Sequence, residues 1–189
     1  MDVIDTSKIF VVDNTFPEWL QNYIEKRANT IPWEQRINVI SADYTEHTLA
    51  YMSYQNGYNN PPDALEIVNI MHEVLSADVI PKNAPGVELT GFFGLRWNGI
   101  TKGNRPSTHR DWIDESQWTI VYFVNHSDGD LVFYDDDQTT EVFRCVYKRG
   151  RSVIFPSNIY HGAIGPAAND LRITMAAQYY VEYHGHSIP

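Results

Sequence analysis

The chain has 189 residues, 43% of them hydrophobic, which suits one domain with a sizeable core rather than a disordered or fibrous chain. A formal charge of −10 and a pI near 5.0 oppose a phosphate backbone, so nucleic acid is disfavoured as a partner, and no apolar run approaches the roughly 20 residues that span a bilayer. The single cysteine, Cys145, cannot form an internal disulfide; with the acidic start Met1-Asp2-Val3-Ile4-Asp5 it points to a cytoplasmic protein with a buried, structural thiol.

In chain order, Ile9-Phe10-Val11-Val12 reads as a buried strand that turns at Asp13-Asn14. Thr15, with Glu18 three residues on, predicts a capped helix whose apolar face is Phe16, Trp19, Leu20, Tyr23 and Ile24. Residues 31–60 have no strong period and are read as a cover. Within them Tyr51, Tyr54 and Tyr58 fall at i, i+3 and i+7, which predicts a short helix on the core or an aromatic wall facing a substrate. Pro61-Pro62-Asp63 starts a second helix with Ala64, Ile67, Val68, Met71, Val74 and Leu75 on one face and His72 on the far, solvated side.

From Val87 the pattern changes to short β segments. Val87 to Trp97 is β-rich and ends at the turn signal Asn98-Gly99. Gln117 to Asn125 is nearly all β-branched or aromatic, as expected of a strand covered on both faces. Leu131 to Tyr134 follows a turn at Ser127 to Asp130, and Asp135-Asp136-Asp137 reads as a solvated acidic loop. Glu141 to Tyr147, Ser152 to Phe155, Ile159 to Ala163 and Leu171 to Tyr183 complete about eight strands. The expected fold is mainly β, a double-stranded β-helix (jelly roll) with two or more N-terminal helices packed on one sheet. Residues 1–85 would form a helical N-terminal part and 86–183 the jelly-roll core of a single domain.

His109 and Asp111 are two residues apart, so in a strand they share a face while Arg110 points away. An imidazole and a carboxylate side by side, joined by His161 from a later strand, would form the two-histidine, one-carboxylate facial set of non-haem Fe(II) oxygenases. The dipeptide spacing by itself is weak, because His126-Ser127-Asp128 repeats it. Asp128 precedes Gly129 in a turn, however, so that copy is read as exposed turn residues.

From about Phe92 to Tyr180 the chain resembles the Fe(II)- and 2-oxoglutarate-dependent dioxygenases, and among them the prolyl 4-hydroxylase-like group. The resemblance is carried by His109-Arg110-Asp111, Tyr122-Phe123-Val124-Asn125, Gly129-Asp130-Leu131-Val132-Phe133, Gly150 to Phe155, His161 and Arg172 in that order. It implies Fe(II) held by His109, Asp111 and His161. It also implies 2-oxoglutarate anchored through its far carboxylate by Arg172 with Thr174, O2 as the other cosubstrate, and ascorbate as an accessory reductant. The implied reaction is hydroxylation of a C–H bond with release of succinate and CO2. Halogenating relatives lack the carboxylate ligand, so Asp111 argues for hydroxylation.

Three positions depart from the prolyl pattern. Trp97 is the best match to a tyrosine usual in the strand before the ligand pair, Phe123, with Tyr122 beside it, stands where an aromatic hydroxyl often helps hold the cosubstrate, and Gln178 replaces a tryptophan six residues beyond the basic anchor. Trp97, Tyr122 and Phe123 are therefore assigned to the cosubstrate pocket, and Arg96, Gln178, Tyr51, Tyr54 and Tyr58 to the substrate pocket. The expected substrate is a prolyl or other amino-acid residue of a peptide or protein, with a free amino acid or small metabolite as alternative. A non-catalytic jelly-roll binding module and a cupin-like metal protein are the readings of other classes; His184-Gly185-His186 is read as a tail. Oligomeric state is not encoded in any motif.

Overall fold

The computed structural model describes residues 4–41, 44–55, 58–59 and 63–184, and side chains outside 36–65. Its centre is a pair of long antiparallel strands, β5 (Val87–Thr101) and β11 (Leu171–Tyr183), in register from Leu171 opposite Thr101 to Tyr183 opposite Val87. On the other side of β11 lies β6 (Gln117–Phe123), every residue of which is buried, then β9 (Ser152–Pro156) and the edge strand β1 (Phe10–Val12). On the other side of β5 lie β3 (Tyr44–Gln55) and β2 (Glu34–Ser41), with the short β4 (Tyr58–Asn59) pairing to β3. A smaller sheet has the order β10-β7-β8, from β10 (His161–Ala163), β7 (Leu131–Tyr134) and β8 (Glu141–Cys145). Two antiparallel sheets, with helices on the large one, give the expected mainly-β jelly roll.

Residues alternate between the faces of the large sheet and so separate two cores. On the outer face Leu95, Trp97, Ile120, Tyr122, Met175 and Ala177 pack under α1 (Glu18–Ala28) and α2 (Asp63–Val74), through Leu20, Ile24, Ile67 and Met71. On the inner face Val121, Phe123, Val153 and Phe155 meet Leu131 and Phe133 of the small sheet. Cys145 is buried in this second core, as a structural thiol should be.

Several local readings are corrected. Glu34–Ser41 and Tyr44–Gln55 form β2 and β3, not an irregular cover, and Tyr51 and Tyr54 lie in β3 with Tyr58 in β4, not on a helix. β-Branched and aromatic residues recur through both segments, and the pairing of β3 to β5 satisfies backbone groups that an edge would leave open. The N-terminal 85 residues therefore contribute strands as well as helices. Whether these three tyrosines face a substrate concerns side chains outside the described residues. β5 does not turn at Asn98-Gly99, because both residues are paired on each side, to Thr174 and Ile173 and to Ala50 and Leu49; the turn comes at Gly103, with φ 79°. Thr15 does not cap α1. Its hydroxyl donates to Val12 O at 3.2 Å and Pro17 opens the helix, which buries Leu20, Gln21, Ile24 and Ala28 and leaves Trp19 63% exposed. His72 is half-buried and stacked on Tyr179 at 5.7 Å, not solvated.

A polar clasp joins the turn after β1 to the loop before β9. Asp13 accepts from Arg151 Nε at 2.6 Å and from Lys148 Nζ at 2.8 Å. The Arg151 hydrogen bond, then that of Lys148, lowers the Asp13 carboxyl to about 2. A depressed carboxylate stabilises the fold above its unfolded value near 4, and that stability is lost as pH falls from about 4 through 2. Asp13 is 40% exposed, so screening reduces the contribution to about 1 kcal/mol. Thermal melts of Asp13→Asn and wild type are expected to differ at pH 7 and to converge near pH 2; a constant gap would contradict the clasp.

Candidate metal and cosubstrate site

The ligand loop is not a regular strand. His109 forms an isolated antiparallel bridge with His161, with N···O distances of 2.9 Å in both directions, while Asp111 N and Trp112 N both donate to Ser157 O, at 3.0 and 3.1 Å. The bridge brings together side chains 52 positions apart in sequence. His109, Asp111 and His161 each place a ligand atom within 4.8 Å of the others. Arg110 points away, over the Tyr160 ring at 3.9 Å and to Asp136 at 2.9 Å.

The donor set fits a cation. His109 Nδ1 lies 3.0 Å from Ser107 O and His161 Nδ1 3.0 Å from Ile159 O, which places a proton on each Nδ1 and leaves each Nε2 as a lone pair. Those Nε2 atoms stand 3.6 and 3.7 Å from the two Asp111 oxygens, too far for hydrogen bonds. Electron-rich atoms thus converge with no proton between them, an arrangement that a divalent ion stabilises. Burial pushes the Asp111 carboxyl up, while the Thr119 hydroxyl that donates to it favours the carboxylate form. Burial likewise lowers His161, keeping it neutral. Thr119 Oγ1 donates to Asp111 Oδ2 at 2.7 Å and lies 2.8 Å from Ser157 Oγ, so it orients the carboxylate.

Arg172 is 2% exposed. Its Nε donates to Gly129 O at 2.7 Å, and its guanidinium lies 5.6 Å from the Phe123 ring centre and 5.1 Å from that of Tyr147. Its Nη2 is buried and has no hydrogen-bond partner among the described residues. A buried guanidinium with an unsatisfied N–H is costly unless an anion completes it, and a carboxylate suits its planar fork. Thr174, two residues on and also buried, stands opposite Phe123 and Asn98 in the register, on the same inner face.

Other expected residues fall elsewhere. Tyr122 and Trp97 belong to the outer core, Tyr122 against Phe16 at 4.9 Å, so neither joins the cosubstrate pocket; strand parity turns them to the helices. Phe123, Arg96 and Gln178 share the inner-face parity, and Gln178 stands opposite Thr119. Asp128, of the rival pair, accepts from the N–H groups of Ala167, Ala168 and Asn169 at 2.9, 2.8 and 3.2 Å and fixes that loop.

Sequence reasoning missed Thr119, Ser157, Tyr147 and Gln117. The Tyr147 ring stacks on Phe123 at 4.4 Å and its hydroxyl donates to Ile173 O at 2.6 Å; burial pushes the phenol up to about 12. The Gln117 carboxamide is buried with neither atom hydrogen-bonded among the described residues. A tyrosine or glutamine in a strand carries no signal of such a role without its cross-strand neighbours.

Gly129 is needed for this packing. A Cβ there would collide with the Ile164 carbonyl oxygen and come within 2.8 Å of Arg172 Cδ. Gly129→Ala is therefore expected to cost about 2 kcal/mol in a denaturant melt. A variant as stable as wild type would contradict it.

No family model and no curated protein sequence matches the chain. Solved structures do. A 2OG-Fe(II) oxygenase family oxidoreductase from Burkholderia pseudomallei aligns with TM-score 0.72 at 12% identity, over 92% of this chain and 85% of that one. A prolyl hydroxylase from Trichoplax adhaerens, in complex with a hypoxia inducible factor peptide fragment, gives 0.61 at 13%, over 93% and 84%. HygX from Streptomyces hygroscopicus, with nickel, 2-oxoglutarate and hygromycin B bound, gives 0.59 at 10%, over 92% and 82%. The chain has the fold of the 2OG-Fe(II) oxygenases, prolyl hydroxylases among them.

Proposed function

We propose that the protein is an Fe(II)- and 2-oxoglutarate-dependent oxygenase that hydroxylates a C–H bond of an amino-acid residue in a peptide or protein. The observation that carries this reading is a convergent His109-Asp111-His161 donor set, whose His161 packs on Phe155, together with a buried arginine beside Phe123 of the same inner core whose Nη2 has no hydrogen-bond partner among the described residues. A jelly-roll binding module has no use for a buried cation beside three aligned metal donors, and a cupin-like site does not require Arg172.

His109, Asp111 and His161 would hold the iron, which supplies O2 activation and the oxidising power that protein side chains lack. Arg172 would grip the far carboxylate of 2-oxoglutarate, with the Thr174 hydroxyl as a further donor. Phe123 and Tyr147 flank the guanidinium, while the neutral Tyr147 hydroxyl is tied to the backbone of β11. Thr119 keeps the Asp111 carboxylate in place, and the Ser107 and Ile159 carbonyls keep both imidazoles in the tautomer that presents Nε2. The apolar inner core of Val121, Phe133 and Phe155 excludes water.

A small-molecule substrate is the second reading. It is favoured by polar residues, Arg96 and Gln178, on the inner face. Anaerobic addition of Fe(II) and 2-oxoglutarate to the protein is expected to produce the weak visible absorption of the chelate, and air then to release succinate. A protein that binds iron without that absorption would sink the proposal.

A further inference from the structure

We infer that the substrate of this site is a basic polypeptide, whose lysine or arginine side chains dock on an aromatic and acidic track leading outward from the metal donors along β11. The inference rests on the oxygenase reading above and names its substrate class. The track starts beside the metal donors, where Thr119, which bonds Asp111, stands opposite Gln178 of β11. Two residues further out comes Tyr180, and two beyond it Glu182. Both share the inner-face parity of Gln178, because Tyr179 and Val181 between them are buried in the outer core. The small sheet covers this face at Phe123 and Phe155, but Tyr180 is 42% exposed and the Glu182 side chain 67%.

Aromatic rings floor the inner part of the track. The buried Phe93 ring lies 5.5 Å from that of Trp112 and, edge-on, 5.9 Å from that of Tyr180. Trp112 directly follows the metal-ligand candidate Asp111 and is exposed, as is Ile113 after it. A contiguous exposed surface of large apolar groups marks a place where a partner binds, and its charges decide which partner. The Trp112 indole N–H donates to Asp114 Oδ2 at 2.9 Å, so a carboxylate sits at the edge of the ring, and the exposed Glu115 follows. At the outer end Glu88 of β5 stands directly opposite Glu182. Like charges so placed destabilise a sheet unless a cation joins them. Among the described residues no lysine or arginine pairs with either, and the His184 imidazole approaches them at 3.6 and 3.9 Å. Aromatic faces bordered by carboxylates suit an ammonium or guanidinium group, which gains a cation–π contact and an ion pair together. Gln117 points to a polypeptide. It is 1% exposed, lies opposite Tyr180, and turns away from the outer core that holds Trp118, yet neither atom of its carboxamide is hydrogen-bonded among the described residues. An open donor and an open acceptor match a peptide group, which offers one of each.

A strand advances about 7 Å for every two residues, so Tyr180 and Glu182 lie about 7 and 14 Å beyond Gln178, intervals that an extended peptide covers in about two and four residues. Basic residues are therefore expected within about four positions of the residue that is hydroxylated. Peptides of equal length carrying lysine or arginine, neutral residues or glutamate at these positions are compared by titration calorimetry on the full chain and by succinate release from the Fe(II)- and 2-oxoglutarate-loaded protein in air. Basic peptides are expected to bind at least about tenfold more tightly than neutral ones and glutamate peptides most weakly, with the advantage shrinking as salt is raised. The doubly substituted Glu88→Gln, Glu182→Gln protein should lose most of that advantage, and Tyr180→Ala should lose part of it. Glu182→Lys should shift the preference toward glutamate peptides, a gain that a misfolded protein would not show. Equal binding of all three peptide classes, no binding of any, or a basic preference unchanged in the Glu88→Gln, Glu182→Gln protein overturns the inference. Basic peptides that bind by calorimetry without any chelate absorption in the wild type support the track and count instead against the iron and 2-oxoglutarate reading.

Discussion

His161→Ala is expected to weaken Fe(II) binding by at least about 100-fold, since loss even of a residue that merely orients a ligand costs 10- to 100-fold. His161 is 5% exposed and packs edge-on to Phe155 at 4.8 Å, so no other side chain can swing into its place without rebuilding the inner core. The backbone bridge to His109 does not depend on the imidazole, so the variant should still fold. Equilibrium dialysis with Fe(II), and the gain in melting temperature on adding metal, give the two readouts. His126→Ala is the control: it removes the histidine of the rival spacing, and its metal binding should match wild type. Equal iron affinity in His161→Ala and wild type would remove the basis of the metal assignment.

Arg172→Leu is expected to act on the cosubstrate alone. A bidentate charge-assisted contact in a buried site contributes about 3 kcal/mol or more, so 2-oxoglutarate affinity should fall by at least about 100-fold. Fe(II) affinity should stay within a few-fold, because Arg172 touches Gly129, Phe123 and Tyr147 rather than a metal donor. The folded state should lose little and can gain, since leucine removes a buried charge whose Nη2 is unpartnered without an anion. Titrating the chelate absorption with 2-oxoglutarate separates the two constants. A variant that loses iron but keeps cosubstrate affinity would reverse the assignment.

The residues of the site differ in how readable they were. His109, Asp111, His161 and Arg172 could be picked out because their order among the strands resembles that of the Fe(II)- and 2-oxoglutarate-dependent dioxygenases; the residue types alone left their roles open. Asp128 could be set aside because it precedes Gly129 in a turn, yet its work as a clasp on Ala167, Ala168 and Asn169 depends on contacts 39 to 41 positions away. Trp97 and Tyr122 were misplaced for a different reason. β6 is buried on both faces, so its hydrophobic alternation is weak and does not say which parity faces the small sheet; β5 takes its parity through β11, and a one-residue difference moves a side chain to the opposite face. Tyr51, Tyr54 and Tyr58 matched a helical period by coincidence, and the pairing of β3 with β5 overrode it.

Composition, strand-rich patterning after Val87 and the ordered donor residues were enough to determine a mainly-β jelly roll and the chemical types gathered in its site. Those properties are local or follow from residue identity. The tertiary structure alone decided which face each strand turns inward, that Thr119, Ser157, Tyr147 and Gly129 complete the site, and that Arg96 rather than Trp97 shares a face with Arg172. Cross-strand register is a long-range pairing, set by the burial of whole sheets, and no short stretch of sequence encodes it.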